Sequence, residues 1–347
     1  MLLILFLLSF IFVHATTLES LSTLKSLSTL STPLSTPSVL GIGTNLGNTL
    51  EAPVEGQWAP SAQEYFFDDF STIGFKTVRI PVRWDNHTMT VPPYTISVEW
   101  LQRVQTVVSW CISRNFFCII NSHWDSWLDT NDTDVFNKML PRFSAIWTQV
   151  ALTFEDAPST LLFESFNEPH IIDTVKLNQL LSTFYTAVRP LHPTRTLIFG
   201  WLNYMGPSWI EENHEQNWNA MFIPQINGIQ DPNLMVETHS YDPWDVCGSP
   251  NRPWESKPSD LLNMDFMFTA LSNWSSTHNI PIFMGESGCV RKQNQTSRIA
   301  WYESFYGRVK NHTGIIGGLV WDDDGDFQIY NRSSRKFDTD IINAIGL

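Results

Sequence analysis

Apolar residues along the chain fall into short runs that alternate with longer stretches of helical spacing. Short apolar runs bounded by turn residues are typical of buried strands. Eight such runs cover residues 39–45, 76–82, 117–122, 161–167, 196–200, 234–240, 281–286 and 315–321.

The stretches between these runs repeat apolar residues at the spacing of one helix face. They cover residues 62–73, 98–114, 135–154, 175–189, 260–278 and 295–310, and residues 213–225 show a weaker repeat. Strands that alternate with helices build a parallel sheet covered by helices, and eight such units close into a barrel. The pattern therefore predicts an α/β fold, a single (β/α)8 TIM barrel over residues 39–347.

Two segments of different composition precede the predicted barrel. Residues 1–15 are apolar and end in small or neutral residues, but they lack the positive residues that usually begin a signal peptide. A bilayer span takes about 20 apolar residues, so we expect a secretory signal peptide cut near Ala15. Residues 16–38 repeat Leu-Ser-Thr units with prolines, which predicts a flexible linker of O-glycosylated composition, with a weak amphipathic helix as the alternative.

Sequons and cysteines also indicate a secreted, extracellular glycoprotein. Six Asn-x-Ser/Thr sequons are spread over the chain, at Asn86, Asn131, Asn273, Asn294, Asn311 and Asn331. The four cysteines allow three pairings in an oxidising compartment, and we favour Cys247 with Cys289 and Cys111 with Cys118. The cysteines lack Cys-x-x-Cys spacing, so we do not expect a structural zinc site.

Charge and tryptophan content narrow the class of partner. The formal net charge of −14 repels nucleic acid and anionic membranes, so we expect neither as a partner. No stretch after residue 15 is long and apolar enough to suggest a membrane helix. Fifteen tryptophans can stack on sugar rings as well as fill a core. The charge is compatible with a neutral substrate.

Two glutamates lie at the ends of separate predicted strands. Glu168 stands in Asn167-Glu168-Pro169, where the proline stops the strand, and Glu286 ends the run 281–286. α/β barrels place their chemistry at the carboxyl ends of the strands, although Glu168 taken alone could equally cap the next helix. A carboxyl pair at one face indicates cleavage of a glycosidic bond: one group protonates the leaving oxygen, and the other attacks the anomeric carbon. The separation of the two carboxyls, which decides between retention and inversion, is left open by the sequence.

Other candidate residues fall at the same predicted strand ends: Arg79, His123, His239, Tyr241 and Trp321. Each has an ordinary explanation when taken singly, as an ion-pair partner, a satisfied interior histidine or a core tryptophan. Together they favour one pocket, in which Arg79 and Tyr241 would hold a neighbouring carboxylate in its anionic form.

These motifs, in this order, resemble glycoside hydrolase family 5, a group of retaining (β/α)8 enzymes that includes many cellulases. The resemblance covers residues 41–336 and implies that Glu168 is the acid/base and Glu286 the nucleophile. It further implies that Arg79 and Tyr241 position Glu286 and that His239 lies beside the acid/base. Asn167 would bind the sugar 2-hydroxyl, His123 the sugar of the −1 subsite, and Trp321 would be its stacking platform.

Residues 45–51 and 321–332 resemble the branch with endo-β-1,4-glucanases and some xyloglucanases, which assigns Asn48 to sugar binding. Asp324 departs from that branch, which often carries asparagine before this glycine. Among the loop tryptophans we select Trp127, Trp201 and Trp244 for flanking subsites. The resemblance implies a polysaccharide substrate, a β-1,4-glucan, and a mechanism with no cofactor and no metal, and we expect a monomer. Xyloglucan, mannan and β-1,3-glucan stay open as substrates. An inactive carbohydrate-binding or cell-wall protein is the alternative of another class, which retention of both glutamates disfavours.

Overall fold

The computed structural model describes residues 36–207 and 218–347. Its centre is a closed barrel of eight strands. The strands are β1 Gly41–Asn45, β2 Thr77–Ile80, β3 Phe117–Ile120, β4 Leu161–Glu164, β5 Leu197–Gly200, β6 Leu234–Ser240, β7 Ile282–Ser287 and β8 Ile315–Val320. The predicted signal peptide, and the predicted linker up to residue 35, lie outside the described residues.

Each barrel strand pairs in parallel with its neighbours in the sequence, and β8 closes the barrel against β1. The register pairs Gly43 with Thr77 at one side of β1 and Gly41 with Gly317 at the other. All eight predicted strands and the (β/α)8 fold class are confirmed. Several predicted strands, that of β4 among them, run past the end of the ladder, because the chain leaves the sheet where the candidate site residues begin.

Helices surround the barrel. They are α1 Glu64–Ile73, α2 Val98–Ile112, α3 Thr133–Thr153, α4 Thr174–Val188, α5 Trp244–Cys247, α6 Pro258–His278, α7 Gln295–Asn311 and α8 Thr339–Ile345. Polar side chains begin several of them: Asp132, Asp173, Asn294 and Asp338 each accept a backbone N–H of the first turn. Within the described ranges, no helix has the length and hydropathy needed to cross a bilayer.

The six clearly periodic segments are helices, and α5 and α8 are additional to the prediction. The weak helix prediction over 213–225 is wrong for its described part. Trp218–Ala220 form a 3-10 turn, and Gln225–Ile226 pair with Ile229–Gln230 in a hairpin. Residues 213–217 of that prediction lie outside the described residues. A second small hairpin pairs Tyr330–Asn331 with Lys336–Phe337.

The interior of the barrel changes from apolar to charged along the strands. A separate apolar cluster fills one end: Leu40, Ile119, Leu162, Ile198, Met235, Phe283 and Leu319. Side chains two residues further along a strand point to the same face. Two residues after Ile119, Leu162 and Met235 come polar side chains that are also fully buried. They are Asn121, Glu164 and Glu237, respectively. The next layer towards the carboxyl ends is therefore polar, and the site is built on it.

Both favoured cysteine pairings are present as disulfides. Cys111 of α2 bonds to Cys118 of β3, and Cys247 at the end of α5 bonds to Cys289 just after β7. The second bridge joins the loops that follow β6 and β7. It thereby ties together two of the segments that carry site residues.

Candidate active site

Glu168 and Glu286 face each other at the carboxyl end of the barrel. Glu286 lies within β7 and is 4% exposed, whereas Glu168 follows β4 and its side chain is 24% exposed. One carboxylate oxygen from each, together with a ring nitrogen of His239, lie within 4.8 Å of one another. The backbone of Glu168 is left-handed, with φ of 47°, a conformation that is costly for a residue with a side chain.

Glu286 is held by one donor on each oxygen. Arg79 Nη1 donates to Oε1 at 2.7 Å, and Tyr241 Oη donates to Oε2 at 2.7 Å. Burial and the charges of Glu286 and Glu168 raise the pKa of Tyr241 well above its usual range, so the phenol stays protonated and donates. Two donors, one on each oxygen, fix the plane and orientation of the carboxylate.

Glu168 has a different environment. Burial, followed by the neighbouring charge of Glu286, raises the pKa of Glu168. Its Oε1 lies 2.8 Å from Nδ1 of His239. Burial alone would lower the pKa of His239, but contacts with Glu286, Glu168 and Glu237 raise it to about 10. The imidazole of His239 is therefore a cation beside the carboxyls of Glu168 and Glu286.

Arg79 is the cation at the base of the site and is completely buried. Its Nε and Nη2 form a bidentate pair with Glu164, at 2.6 and 2.8 Å. Its two terminal nitrogens also donate to Asn45 Oδ1 at 3.0 Å and to Asn167 Oδ1 at 2.7 Å. Burial opposes the charge of Arg79, but the carboxylates around it raise its pKa well above the usual value. Arg79 thus couples β1, β2, β4 and β7.

His123 and Trp321 form one aromatic wall of the site. Their rings are nearly parallel, with centroids 5.9 Å apart, and Trp321 is half-buried. Burial and the charge of Arg79 lower the pKa of His123 well below its usual value, so this ring is neutral. Asn48 lies near the same wall, and its Nδ2 donates to Oδ2 of Asp322.

The three selected subsite tryptophans have different positions. Trp244 is 58% exposed and meets Tyr241 edge to face, which leaves it available to a ligand. Trp201 is fully buried in the core between barrel and helices, so its assignment to a sugar subsite is wrong. Trp127 is also a packing residue: its ring packs against that core and lies under the guanidinium of Arg142, 4.7 Å from the ring centroid.

Several residues at the site were not among those selected from the sequence, although Trp124 was one of the loop tryptophans considered for flanking subsites. Trp58 and Trp124 are about half exposed and meet edge to face, with centroids 6.3 Å apart. Glu164 and Glu237 are fully buried in the polar layer below Glu168 and Glu286. A charged residue inside an otherwise apolar strand is a signal that could have identified both glutamates, because such a residue is rarely buried without a partner.

Glu168, His239 and Glu286 also converge closely enough to offer three ligands to a metal ion, and they form the one such group found in the described parts of the chain. Carboxyl-pair hydrolysis needs no metal.

Comparison with known proteins agrees with this geometry. The profile of the family described as cellulase (glycosyl hydrolase family 5) matches residues 43–322. Endoglucanase H of Acetivibrio thermocellus is 40% identical over 314 residues, which are 88% of this chain and 33% of that protein. Endoglucanase B of Paenibacillus lautus is 30% identical over 87% of this chain and 56% of its own length. The chain thus spans a third of the first relative and just over half of the second.

Solved structures of endoglucanases are also similar to this chain. Endoglucanase Cel5A from Thermotoga maritima superposes with a TM-score of 0.80 and 29% identity, covering 89% of this chain and 97% of its own. The same enzyme in complex with mannotriose gives a TM-score of 0.80 at 28% identity, over 89% of this chain and 98% of its own. The resemblance seen in the ordered motifs is confirmed. The chain belongs to glycoside hydrolase family 5, the family of the cellulases.

Proposed function

We propose that this protein is a secreted, retaining endo-β-1,4-glucanase that works by double displacement. The observation that supports this most directly is the pairing of Glu168 with Glu286 at one end of the barrel. One oxygen of each lies within 4.8 Å of the other, near the ~5–5.5 Å carboxyl separation of retaining enzymes and well below the ~6.5–9.5 Å of inverting ones.

In the first step, Glu286 attacks the anomeric carbon while Glu168 gives its proton to the glycosidic oxygen. The bond to the leaving sugar breaks, and a glycosyl ester forms on Glu286. Arg79 and Tyr241 orient the Glu286 carboxylate for this attack, and burial raises the pKa of Glu168, which favours the protonated form that donates.

In the second step, Glu168 is ionised and takes a proton from water. The water attacks the anomeric carbon, the ester to Glu286 breaks, and both carboxyls return to their starting states. The imidazolium of His239 lies 2.8 Å from Glu168 and stabilises its anion between the two steps.

The substrate would lie along the aromatic residues that flank the pair. Asn167 presents its oxygen to Arg79, so its amide nitrogen is the group that can donate to a sugar hydroxyl. Trp321 would stack on the sugar next to the scissile bond. The exposed pair Trp58 and Trp124 and the exposed Trp244 would extend binding along the chain in both directions.

Secretion is supported by the placement of the sequons and cysteines. All six sequon asparagines are exposed, namely Asn86, Asn131, Asn273, Asn294, Asn311 and Asn331. Both disulfides suit an oxidising compartment. These features favour a glycoprotein that acts outside the cell.

The choice of β-1,4-glucan follows the printed names of the relatives, which are endoglucanases. Mannan is the second candidate, because the Thermotoga maritima enzyme is known in complex with mannotriose as well as cellobiose. Xyloglucan and β-1,3-glucan use the same mechanism and stay as further alternatives.

Hydrolysis of a soluble carboxymethylated β-1,4-glucan tests the proposal, with viscosity and reducing ends followed together. Wild type and Glu286→Ala run side by side, with glucomannan, xyloglucan and laminarin as comparison substrates. We expect a fast fall in viscosity for few new reducing ends, abolished in the variant. Activity on a comparison substrate alone would change the substrate and keep the mechanism. No hydrolysis of any of the four substrates would favour the alternative of an inactive carbohydrate-binding protein.

A further inference from the structure

Glu237 is a fully buried carboxyl that the double-displacement mechanism does not use. Its Oε1 lies 3.0 Å from Nε2 of His239 and 3.1 Å from Nε of Arg79. The other ring nitrogen of His239 contacts Glu168 at 2.8 Å. Glu237, His239 and Glu168 therefore form a continuous chain from the barrel interior to the acid/base.

The barrel leaves space for this side chain. Gly285 lies opposite on β7, and a Cβ placed there would come within 1.6 Å of Oε1 of Glu237. A carboxyl in a protein interior is costly unless it is paired and hydrogen-bonded. Its presence here, accommodated by a glycine on the neighbouring strand, calls for a role that an apolar residue could not fill.

The charged groups around Glu237 come from four strands. Arg79 of β2 and His239 of β6 contact it directly, the same Arg79 holds Glu164 of β4, and β7 contributes Gly285 with Glu286 beyond it. The other oxygen of Glu237, Oε2, is buried and has no hydrogen-bond partner among the described residues. Burial, and after it the charge of Glu164, raise the pKa of Glu237 to about 8.

The charges around Glu237 balance when two of the carboxyls hold a proton. With Glu237 and Glu168 protonated, the anions Glu164 and Glu286 balance the cations Arg79 and His239. Oε1 of Glu237 then accepts the Nε2 proton of His239, and the Nδ1 proton is directed at Glu168. The histidine is held as a doubly protonated ring in one orientation.

Resting on the roles proposed for Glu168 and Glu286, we propose that Glu237 is a positioning residue of the acid/base. It holds His239 by Nε2 and, through His239, sets the orientation and protonation of the Glu168 carboxyl. Loss of this contact weakens protonation of the leaving group more than attack by Glu286.

Two leaving groups separate these steps. A dinitrophenolate departs without a proton, whereas a phenolate needs one, so phenyl and dinitrophenyl β-cellobiosides report acid catalysis by comparison. Glu237→Leu removes the acceptor at similar size, and Glu237→Gln retains both the acceptor and the shape of the protonated acid. We expect Glu237→Leu to lose at least about tenfold more kcat/KM on the phenyl substrate than on the dinitrophenyl substrate. Glu237→Gln should keep the wild-type ratio.

The matched control is Glu51→Leu, since Glu51 is an equally buried carboxyl whose oxygens accept the backbone N–H groups of Asn48 and Thr49. It should lose the same factor on both substrates. An equal loss on both substrates in Glu237→Leu would overturn the proposal and leave Glu237 a structural residue. The ratio is taken within one preparation, so partial unfolding does not affect it.

A Glu168→Gln arm separates failure of this inference from failure of the proposed function. If Glu168→Gln shows no dependence on the leaving group, the acid/base assignment itself is wrong. If Glu237→Leu does not fold, the pH profile of Glu237→Gln tests the proposal instead. The kcat/KM of this variant should match wild type at acidic pH and depart from it only on the alkaline side, where the glutamate of the wild type ionises. Departure at acidic pH would contradict the proposal.

Discussion

Tyr241 donates a 2.7 Å hydrogen bond to Glu286 on the oxygen opposite the one that Arg79 holds. The phenol adds a second donor without adding a second charge, so it orients the carboxylate while leaving its negative charge available for attack. Removal of the phenol hydroxyl should therefore impair attack by Glu286.

Tyr241→Phe should lower kcat roughly 10- to 100-fold, because a hydrogen bond to a charged group contributes about 1.5–3 kcal/mol. Steady-state kinetics on a soluble glucan measures the loss. An unchanged kcat would show that the phenol does not orient Glu286 for attack.

Arg79→Lys should strongly destabilise the fold although it keeps the charge. Lysine cannot reproduce the bidentate contact with Glu164 while also reaching Glu286 and Asn167. Breaking a buried ion pair costs about 3–5 kcal/mol of unfolding free energy. Urea unfolding measures the loss. Arg335→Lys is the control, because its pair with Asp69 is at the surface, where such pairs contribute about 0–1 kcal/mol.

Asp322 should make the protein less stable as pH rises. Burial, and then the charge of Asp323, raise the pKa of Asp322 from 3.8 to about 8. Between these values the folded carboxyl keeps a proton that the unfolded one has lost. Folding then takes up a proton, and stability falls with pH by at most about 1.4 kcal/mol per pH unit.

Asp322→Asn should therefore flatten the pH dependence of the unfolding free energy between pH 4 and 8, the window set by those two pKa values. Denaturant unfolding at several pH values tests this. The exposed Asp134→Asn removes a charge at the surface and should keep the wild-type slope. An unaltered slope in Asp322→Asn would mean that this carboxyl is ionised in the fold.

Trp124→Ala should raise KM about 2- to 10-fold on a long glucan, since an aromatic contact contributes about 0.5–1.5 kcal/mol. Activity on a short aryl glycoside should fall less, because such a substrate offers fewer sugar rings to the pair of Trp58 and Trp124. Trp201→Ala is the contrast: it removes a buried ring and should cost about 3–5 kcal/mol of stability. Equal effects of Trp124→Ala on both substrates would show that this pair does not bind the glucan chain.

The sequence predicted the barrel because eight short apolar runs alternate with strongly periodic helices. It also located Glu168 and Glu286, since strand ends are where a barrel collects its polar groups. It could not tell which way a loop tryptophan faces, which is why Trp201 was misassigned. The short helix Thr339–Ile345 was missed because seven residues hold too little periodicity to recognise.

Glu237 shows a different limit of prediction. It stands in Glu237-Thr238-His239, two residues from a recognised histidine, and this spacing places both side chains on the same face of β6. What the sequence alone does not reveal is the partner across the barrel. Only the fold brings Glu164, Arg79 and Gly285 around it, from segments far apart in the chain.

The close approach of Gly285 to Glu237 has an evolutionary consequence. Any side chain at position 285 would occupy the space that the carboxyl now fills, so neither position can change freely while the other stays as it is. We expect the two positions to covary among relatives, with a residue smaller than glutamate on β6 wherever β7 carries a side chain. Chains that keep both residues would then form a lineage in which a buried carboxyl on β6 holds the histidine that contacts Glu168.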